Sequence, residues 1–420
     1  MSIVHSALGY LALLGLAWLA GTRRGPFPVR TAAVATALQV ALTALLMLTG
    51  LRHNVFGLVD ALTRMLKATA LEANRSLLVS GLSSREFISQ FGPILALEMA
   101  AIIIFIAALS RILYHYRVLP WIIQLLSRPM ERLMGISAAE SLGVAANVFV
   151  GMTEAPLLIR PYVARLTLSE LFCVMSAGMA TIAGTVMVIY ATMLAGAHPE
   201  IAGHLFAASL ISAPAAIAVA KVMVPETETP VTSGQRIDLE LDDTLNGLDA
   251  AARGASEGMY LFINIAAMLV AFIGLVALAN GLLAVADGWV NGAAAGSWTL
   301  QAMLGYVLRV PVWLMGVSWA EARPIAELMG LKTVLNEFVA YADLARRMAD
   351  EATALGPRAF LVATYALCGF ANFGSVAIMV GGIGGIAPER RGDLARLGLR
   401  SIAAGTIATM LTGCVIGLFV

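Results

Sequence analysis

The sequence predicts an all-α polytopic membrane protein with about eight transmembrane helices, two re-entrant helical hairpins and interfacial helices. Three observations carry that expectation. The 420 residues are 60% hydrophobic and 13% charged, with mean hydropathy +0.85, whereas soluble domains lie near about 45–50% apolar and about 25% charged. Apolar runs recur at roughly the 20 residues needed to cross a hydrocarbon core of about 30 Å. Two further apolar runs are broken at glycine and are too short on either side to cross.

The expected spans are 6–21, 31–50, 92–110, 172–196, 203–224, 259–285, 358–383 and 399–420. The first could pass for a signal peptide, but its charges follow the apolar run and no small-residue cleavage site stands out. A retained first helix is expected. In 52–77, Val55, Leu58, Val59, Leu62, Met65 and Leu66 fall at helical spacing with Arg64 and Lys67 interleaved. This is a helix lying in the membrane interface, or an amphipathic helix packed on the bundle. The acidic, breaker-rich stretch 225–257 reads as a loop.

Short loops rich in Lys and Arg stay cytoplasmic. "GTRRGPFPVR", "APERRGDLARLGLR" and the two ends of 110–132 are basic, while "AGAHPEIAG" has no Lys or Arg. Both termini are then outside, although the outer segment 52–90 carries five basic residues against that assignment.

The two broken runs are 136–158, interrupted at Gly151-Met152-Thr153-Glu154, and 299–331, interrupted at Gly316-Val317-Ser318. A half-helix of about 12 residues reaches only about 18 Å, so it enters the bilayer, turns and leaves. Irregular backbone at that depth is tolerated only inside protein or along a wet cavity. "FVGMTEA" and "LMGVSWAEA" echo one another, as do "MATIAGTVMVIY" and "CGFANFGSVAIMVGG". Paired interrupted segments point to a binding site at a repeat interface; chance likeness among glycine-rich helices is the alternative.

The residues argue against several function classes. A net charge of +1 leaves no basic surface for nucleic acid. There is no P-loop for an ATP-driven pump, and no nucleophile–base pair or metal cluster for an enzyme. The separated Cys173, Cys368 and Cys414 read as small core residues. Glu154 and Glu337 are intramembrane acids, which are functional candidates by default; a structural hydrogen bond is the alternative for each. Asn372 and Ser375 lie three apart on one helix face and, with the acceptor-only carboxylate of Glu337, make a reader of vicinal hydroxyls. Phe370 offers a ring face nearby. Asn147 and Thr181 supply neutral oxygens beside broken backbone, where the carbonyls of Val150 and Ile182 come free, a set that suits Na⁺. Two pocket carboxylates with no pocket Arg or Lys argue against an anionic substrate, and an inverted-repeat carrier of another small polar solute is the alternative reading.

At these residues the sequence resembles the concentrative nucleoside transporters. "NVFVGMTEAPLLIRPY", "MATIAGTVMVIYATML", "MGVSWAEA", "KTVLNEFVAY" and "CGFANFGSVAIMVGGIGGIAPERR" carry the likeness over most of 90–420. The resemblance implies an elevator-type homotrimer in the bacterial inner membrane, with spanning helices and hairpins in inverted repeats. It implies uptake of nucleosides of the uridine, cytidine, adenosine, guanosine or inosine class, with Na⁺ as coupling ion or H⁺ as the alternative. Residues 1–110 would hold amino-terminal, interfacial and scaffold helices, and 111–224 the first repeat with hairpin 1. An acidic loop would follow at 225–257, a long scaffold helix at 258–291, and the second repeat with hairpin 2 at 292–420. Gly151, Met152, Thr153 and Glu154 would face the base, with Val186 and Phe370 lining the pocket. Glu337, Asn372 and Ser375 would hold the ribose, and Asn147, Val150, Thr181 and Ile182 the Na⁺. Many family members carry Gln where Met152 stands, so Gly151-Met152 implies a purine preference.

Overall fold

The computed structural model describes residues 2–22, 27–49, 51–77, 95–235, 237, 244–292 and 298–420. Part of the basic turn at 23–26, the stretch 78–94 between the expected interfacial segment and the third span, and 238–243 of the acidic insert lie outside them. Every regular element described is helical. Apolar α1 (Ser2–Leu19) and α2 (Val29–Leu48) are followed by amphipathic α3 (Leu51–Leu77). Next come apolar α4 (Leu95–His115) and amphipathic α5 (Val118–Met134).

Two similar arrays make up most of the rest. The first opens with α6 (Ala138–Asn147), breaks, and continues through short α7 (Glu154–Leu157) and α8 (Arg160–Val163). A broken helix follows, α9 (Leu168–Ala180) and α10 (Gly184–Leu194), and then α11 (Ile201–Met223). The arrays are separated by α12 (Gly247–Asn291) and α13 (Leu300–Leu314). The second array is α14 (Trp319–Val334), α15 (Glu337–Ala349), the broken pair α16 (Pro357–Leu367) and α17 (Phe373–Ile386), and α18 (Arg391–Ile416).

Six helices among the described residues are long and apolar enough to cross a membrane, with α9 and α10 taken together. They match six of the expected spans; the other two are 18-residue α1 and the broken pair α16/α17. Two segments read as connections are helical. Residues 118–134 bury Leu119, Ile123, Met130 and Met134 on one face of α5, and 247–257, placed in the acidic loop, form the first turns of α12. Asn246 starts that helix by accepting from the N–H groups of Leu248 and Asp249.

The second hairpin differs from the sequence expectation. Each array opens with a Ser-x-x-Glu cap: the Ser137 hydroxyl accepts from Glu140 N–H at 3.3 Å, and that of Ser318 from Glu321 N–H at 3.2 Å. The register therefore pairs "ISAAE" with "VSWAE", and the break before Glu154 with the turn at 335–336 before Glu337. The Gly316 break is instead the corner between α13 and α14. Gly316 has φ +90°, a region that favours glycine. Its carbonyl accepts from Arg358 Nε at 3.0 Å, while Arg358 Nη2 also donates to Gly417 O at 2.6 Å and Ser6 Oγ at 3.2 Å. One guanidinium thus pins that corner to both ends of the chain.

α18 is buried along its second half and packs on α9, α11 and α16. The outer wall is α4 against α12. A Cβ at Gly254 would lie 2.7 Å from Ala108 Cα, and one at Gly258 2.7 Å from Ile104 Cα. These glycines, four apart, let the two backbones touch. Away from that seam α12 is open: Val270 is 77% and Leu282 66% exposed. Among the described residues these side chains have little apolar cover, as a face turned to lipid or protein would.

Candidate functional site

Four backbone interruptions meet around one cavity of about 480 Å³, within the roughly 300–1,000 Å³ usual for small-molecule sites. They are 148–153, 181–183, 335–336 and 368–372. α4 and α12 close the opposite side with Met99, Arg111, Tyr114, Glu257, Asn264, Met268 and Phe272. All nine residues expected to face substrate line this space: Gly151, Met152, Thr153, Glu154, Val186, Glu337, Phe370, Asn372 and Ser375.

The breaks have local causes. Thr181 (φ −119°, ψ 165°) is extended, so α9 stops there, and Ala183 (φ −69°, ψ 146°) starts α10. Asn336 and Asn372 are N-caps, accepting from the N–H groups of Val339 at 3.0 Å and Ser375 at 2.8 Å. The second cap also orients a side chain, because the amide end of Asn372 then faces Glu337.

Glu337 is buried, and each of its oxygens has a donor. Tyr190 Oη donates to Oε1 at 2.7 Å and Asn372 Nδ2 to Oε2 at 3.1 Å. A carboxylate has roughly four acceptor sites, so this clamp leaves lone pairs for a ligand. Hydroxyl donors suit it, since bonds to an ionised acceptor are roughly twice as strong as neutral ones.

Hairpin 1 supplies the opposite edge. The Glu154 side chain is open to the cavity and folds back over its own turn: a Cβ at Gly151 would lie 2.2 Å from Glu154 Oε2. Glycine at 151 is what lets this carboxylate sit there. Met152 is buried against α9, where a Cβ at Gly178 would come within 2.8 Å of Met152 Cβ. Thr153 lies equally close to Gly382 of α17.

Behind the cavity, Asn147 and Thr181 come together. Thr181 Oγ1 lies 3.2 Å from Asn147 O and 2.8 Å from Ala177 O. Asn147 Nδ2 donates to Gly143 O at 2.9 Å, which leaves Asn147 Oδ1 buried with no donor among the described residues. A buried acceptor without a donor is costly unless a cation fills the role. Ile182 is adjacent and bonds through its carbonyl to Ser209 Oγ at 3.3 Å. Val150 lines the cavity, while Asn147, Thr181 and Ile182 stay buried. The oxygens fit Na⁺; among the described residues no cluster of His, Cys, Asp or Glu could hold a metal ion.

The structure corrects one expectation and adds to another. Arg111 and Arg160 do line the cavity. Arg111 is paired with Glu257 across the α4–α12 seam through two hydrogen bonds, one at 2.8 Å, so its charge is largely spent within the wall. Tyr190 and Asn336 were missed. Tyr190 lies one helical turn beyond Val186, on the same face, which is the signal that could have found it.

The chain is similar to known transporters along its whole length. The family described as "Na+ dependent nucleoside transporter C-terminus" matches residues 204–417, and one described as "Nucleoside recognition" matches 96–197. The chain is 39% identical to an uncharacterized transporter of Haemophilus influenzae, covering 100% of this chain and 98% of that one. It is 35% identical to the nucleoside permease NupC of Helicobacter pylori over 100% of this chain and 98% of that protein. Sodium/nucleoside cotransporter 1 of Rattus norvegicus is 40% identical over 77% of this chain and 51% of its own length. The solved structure of CNTnw in an inward-facing substrate-bound state superposes with TM-score 0.90 at 38% identity, over 100% of this chain and 98% of that one. With that likeness running through both arrays and the cavity between them, the chain belongs to the concentrative nucleoside transporter family.

Proposed function

We propose that this protein takes up nucleosides across the bacterial inner membrane by Na⁺ symport, with Glu337, Asn372 and Ser375 holding the ribose. The observation that carries the reading is the clamped carboxylate of Glu337, whose donors leave it free to accept from sugar hydroxyls. Met152, Thr153 and Glu154 face the base, and Val186 and Phe370 pack against the nucleoside. The soft, buried thioether of Met152 supports a preference for purines. Asn147 and Thr181 hold the ion with the Val150 and Ile182 carbonyls, a role supported by the undonated Asn147 Oδ1.

The two arrays form the moving unit of an elevator. α4 and α12 belong to a static scaffold, and the open apolar face of α12 supports trimer formation. The cavity reaches Arg111 and Tyr114 near the end of α4 and Glu257 near the start of α12. By charge bias this end is cytoplasmic and both termini are periplasmic, so the arrangement faces inward.

The deciding experiment is uptake of labelled purine and pyrimidine nucleosides into proteoliposomes, with and without an inward Na⁺ gradient. Accumulation is expected only with Na⁺. Full accumulation in choline that collapses when a pH gradient is dissipated makes the carrier proton-coupled.

A further inference from the structure

Lys332 is wholly buried in α14, and nothing in the proposed transport reaction uses it. Its ammonium donates to Ala366 O at 2.9 Å and to Thr409 Oγ1 at 3.2 Å. Burying a full charge is expensive unless it is matched, so its surroundings show what it matches.

The paired arrays supply the comparison. In the first, three elements meet behind the cavity: the end of hairpin arm α6 with Asn147, the end of α9 with Ala177 and Thr181, and a hydroxyl of the following helix, Ser209 on α11. In the second, the corresponding elements also meet, with Lys332 one helical turn beyond the register position of Asn147. They are hairpin arm α14 with Lys332, the last turn of α16 with Ala366, and Thr409 on α18. The last turn of a helix carries the negative end of its dipole, so both junctions attract positive charge. The first presents a buried acceptor with no donor, Asn147 Oδ1. The second carries an ammonium on its own side chain.

We infer that Lys332 is a tethered cation, occupying in the second array the place that the transported cation takes in the first. It confines ion coupling to one array and sets its charge in the last turn of α14, just before the turn that leads to Glu337. Lys332 is a positioning residue that acts on substrate through Glu337. The inference rests on the reading of Asn147 and Thr181 as cation ligands.

The test is a Na⁺ titration of nucleoside uptake in proteoliposomes at fixed potential, on the wild type, Lys332→Met, Lys332→Arg and Asn147→Leu. Lys332→Met is expected to raise the Na⁺ needed for half-maximal uptake about tenfold or more, with the slope rising from about one towards two as a second ion enters the vacated junction. Lys332→Arg keeps the charge and should follow the wild type. If wild-type Na⁺ dependence is lost in Asn147→Leu but unchanged in Lys332→Met, this inference alone is overturned. It is also overturned if Lys332→Arg shifts as far as Lys332→Met, because shape and not charge would then matter. A wild type indifferent to Na⁺ overturns the inference together with the cation site. Should Lys332→Met fail to fold, Thr409→Val removes one acceptor and keeps the amine; it is expected to shift the titration in the same direction by less, and no shift overturns the inference.

Discussion

Tyr190 and Glu337, 147 positions apart and on different arrays, share a buried hydrogen bond of 2.7 Å. It ties α10 to the start of α15 beside the cavity, so the carboxylate proposed to read the sugar is aimed by both halves of the protein. Tyr190→Phe removes the donor and keeps the ring. An unpaired buried oxygen costs about 1–3 kcal/mol, so the nucleoside KM is expected to rise about tenfold in uptake assays, with folding kept.

Glu337→Gln strikes the same clamp from the other side. The amide cannot accept from Tyr190, Asn372 and a ligand in the same way, and uptake is expected to be nearly abolished while the protein still folds and inserts. 2′- and 3′-deoxynucleosides should lose less than ribonucleosides, measured as the ratio of their uptake rates. Equal losses would remove the ribose-reading role.

Base choice is tested at Met152. Met152→Gln brings an amide that can donate and accept at a uracil edge, and specificity is a difference between two affinities. The purine-to-pyrimidine ratio of kcat/KM is expected to fall about tenfold, or about 1.4 kcal/mol. An unchanged ratio puts base selection elsewhere.

Coupling is tested at Asn147 and its neighbour. One Na⁺ moving inward with a neutral nucleoside gains about 2.3 kcal/mol at 100 mV, and about 1.4 kcal/mol more from a tenfold gradient. The sum of about 3.7 kcal/mol supports accumulation on the order of 500-fold, so abolishing the potential should cost more than abolishing the gradient. Asn147→Leu should leave exchange uncoupled, or weaken binding in a way that high Na⁺ does not rescue. Gly178→Ala presses on the site without replacing any residue assigned to it. Its Cβ would lie 2.8 Å from Met152 Cβ and 3.5 Å from Asn147 Oδ1, so a reduced Na⁺ affinity is expected in the same assay.

The site was more legible in the sequence than the path of the chain around it. Glu154, Glu337 and Asn372 stand out because acids and amides inside apolar runs are costly, and that cost does not depend on topology. Hairpin 2 was misplaced because a glycine break looks alike wherever it falls. Gly316 turns a corner held by Arg358, whereas the cavity turn is made by Asn336 as an N-cap, a signal carried by "LNEF" but quieter than glycine. α5 was hidden by Pro129 and its flanking arginines, although Leu119, Ile123 and Met130 keep helical spacing. Tyr190 carried no signal beyond its spacing from Val186, because its partner lies in the other array.

The 45 residues of α12 amount to about 67 Å of helix at 1.5 Å per residue, more than twice a hydrocarbon thickness of about 30 Å. Such a rod cannot stand upright in a bilayer without exposing apolar turns, so it must lean steeply or project beyond the lipid. The glycines at 254 and 258 join α4 to one end of it, which makes the lean of the rod the angle of the cavity wall. Thinning or thickening the surrounding lipid is expected to change that lean, and uptake compared between vesicles of short and long acyl chains shows whether the wall follows.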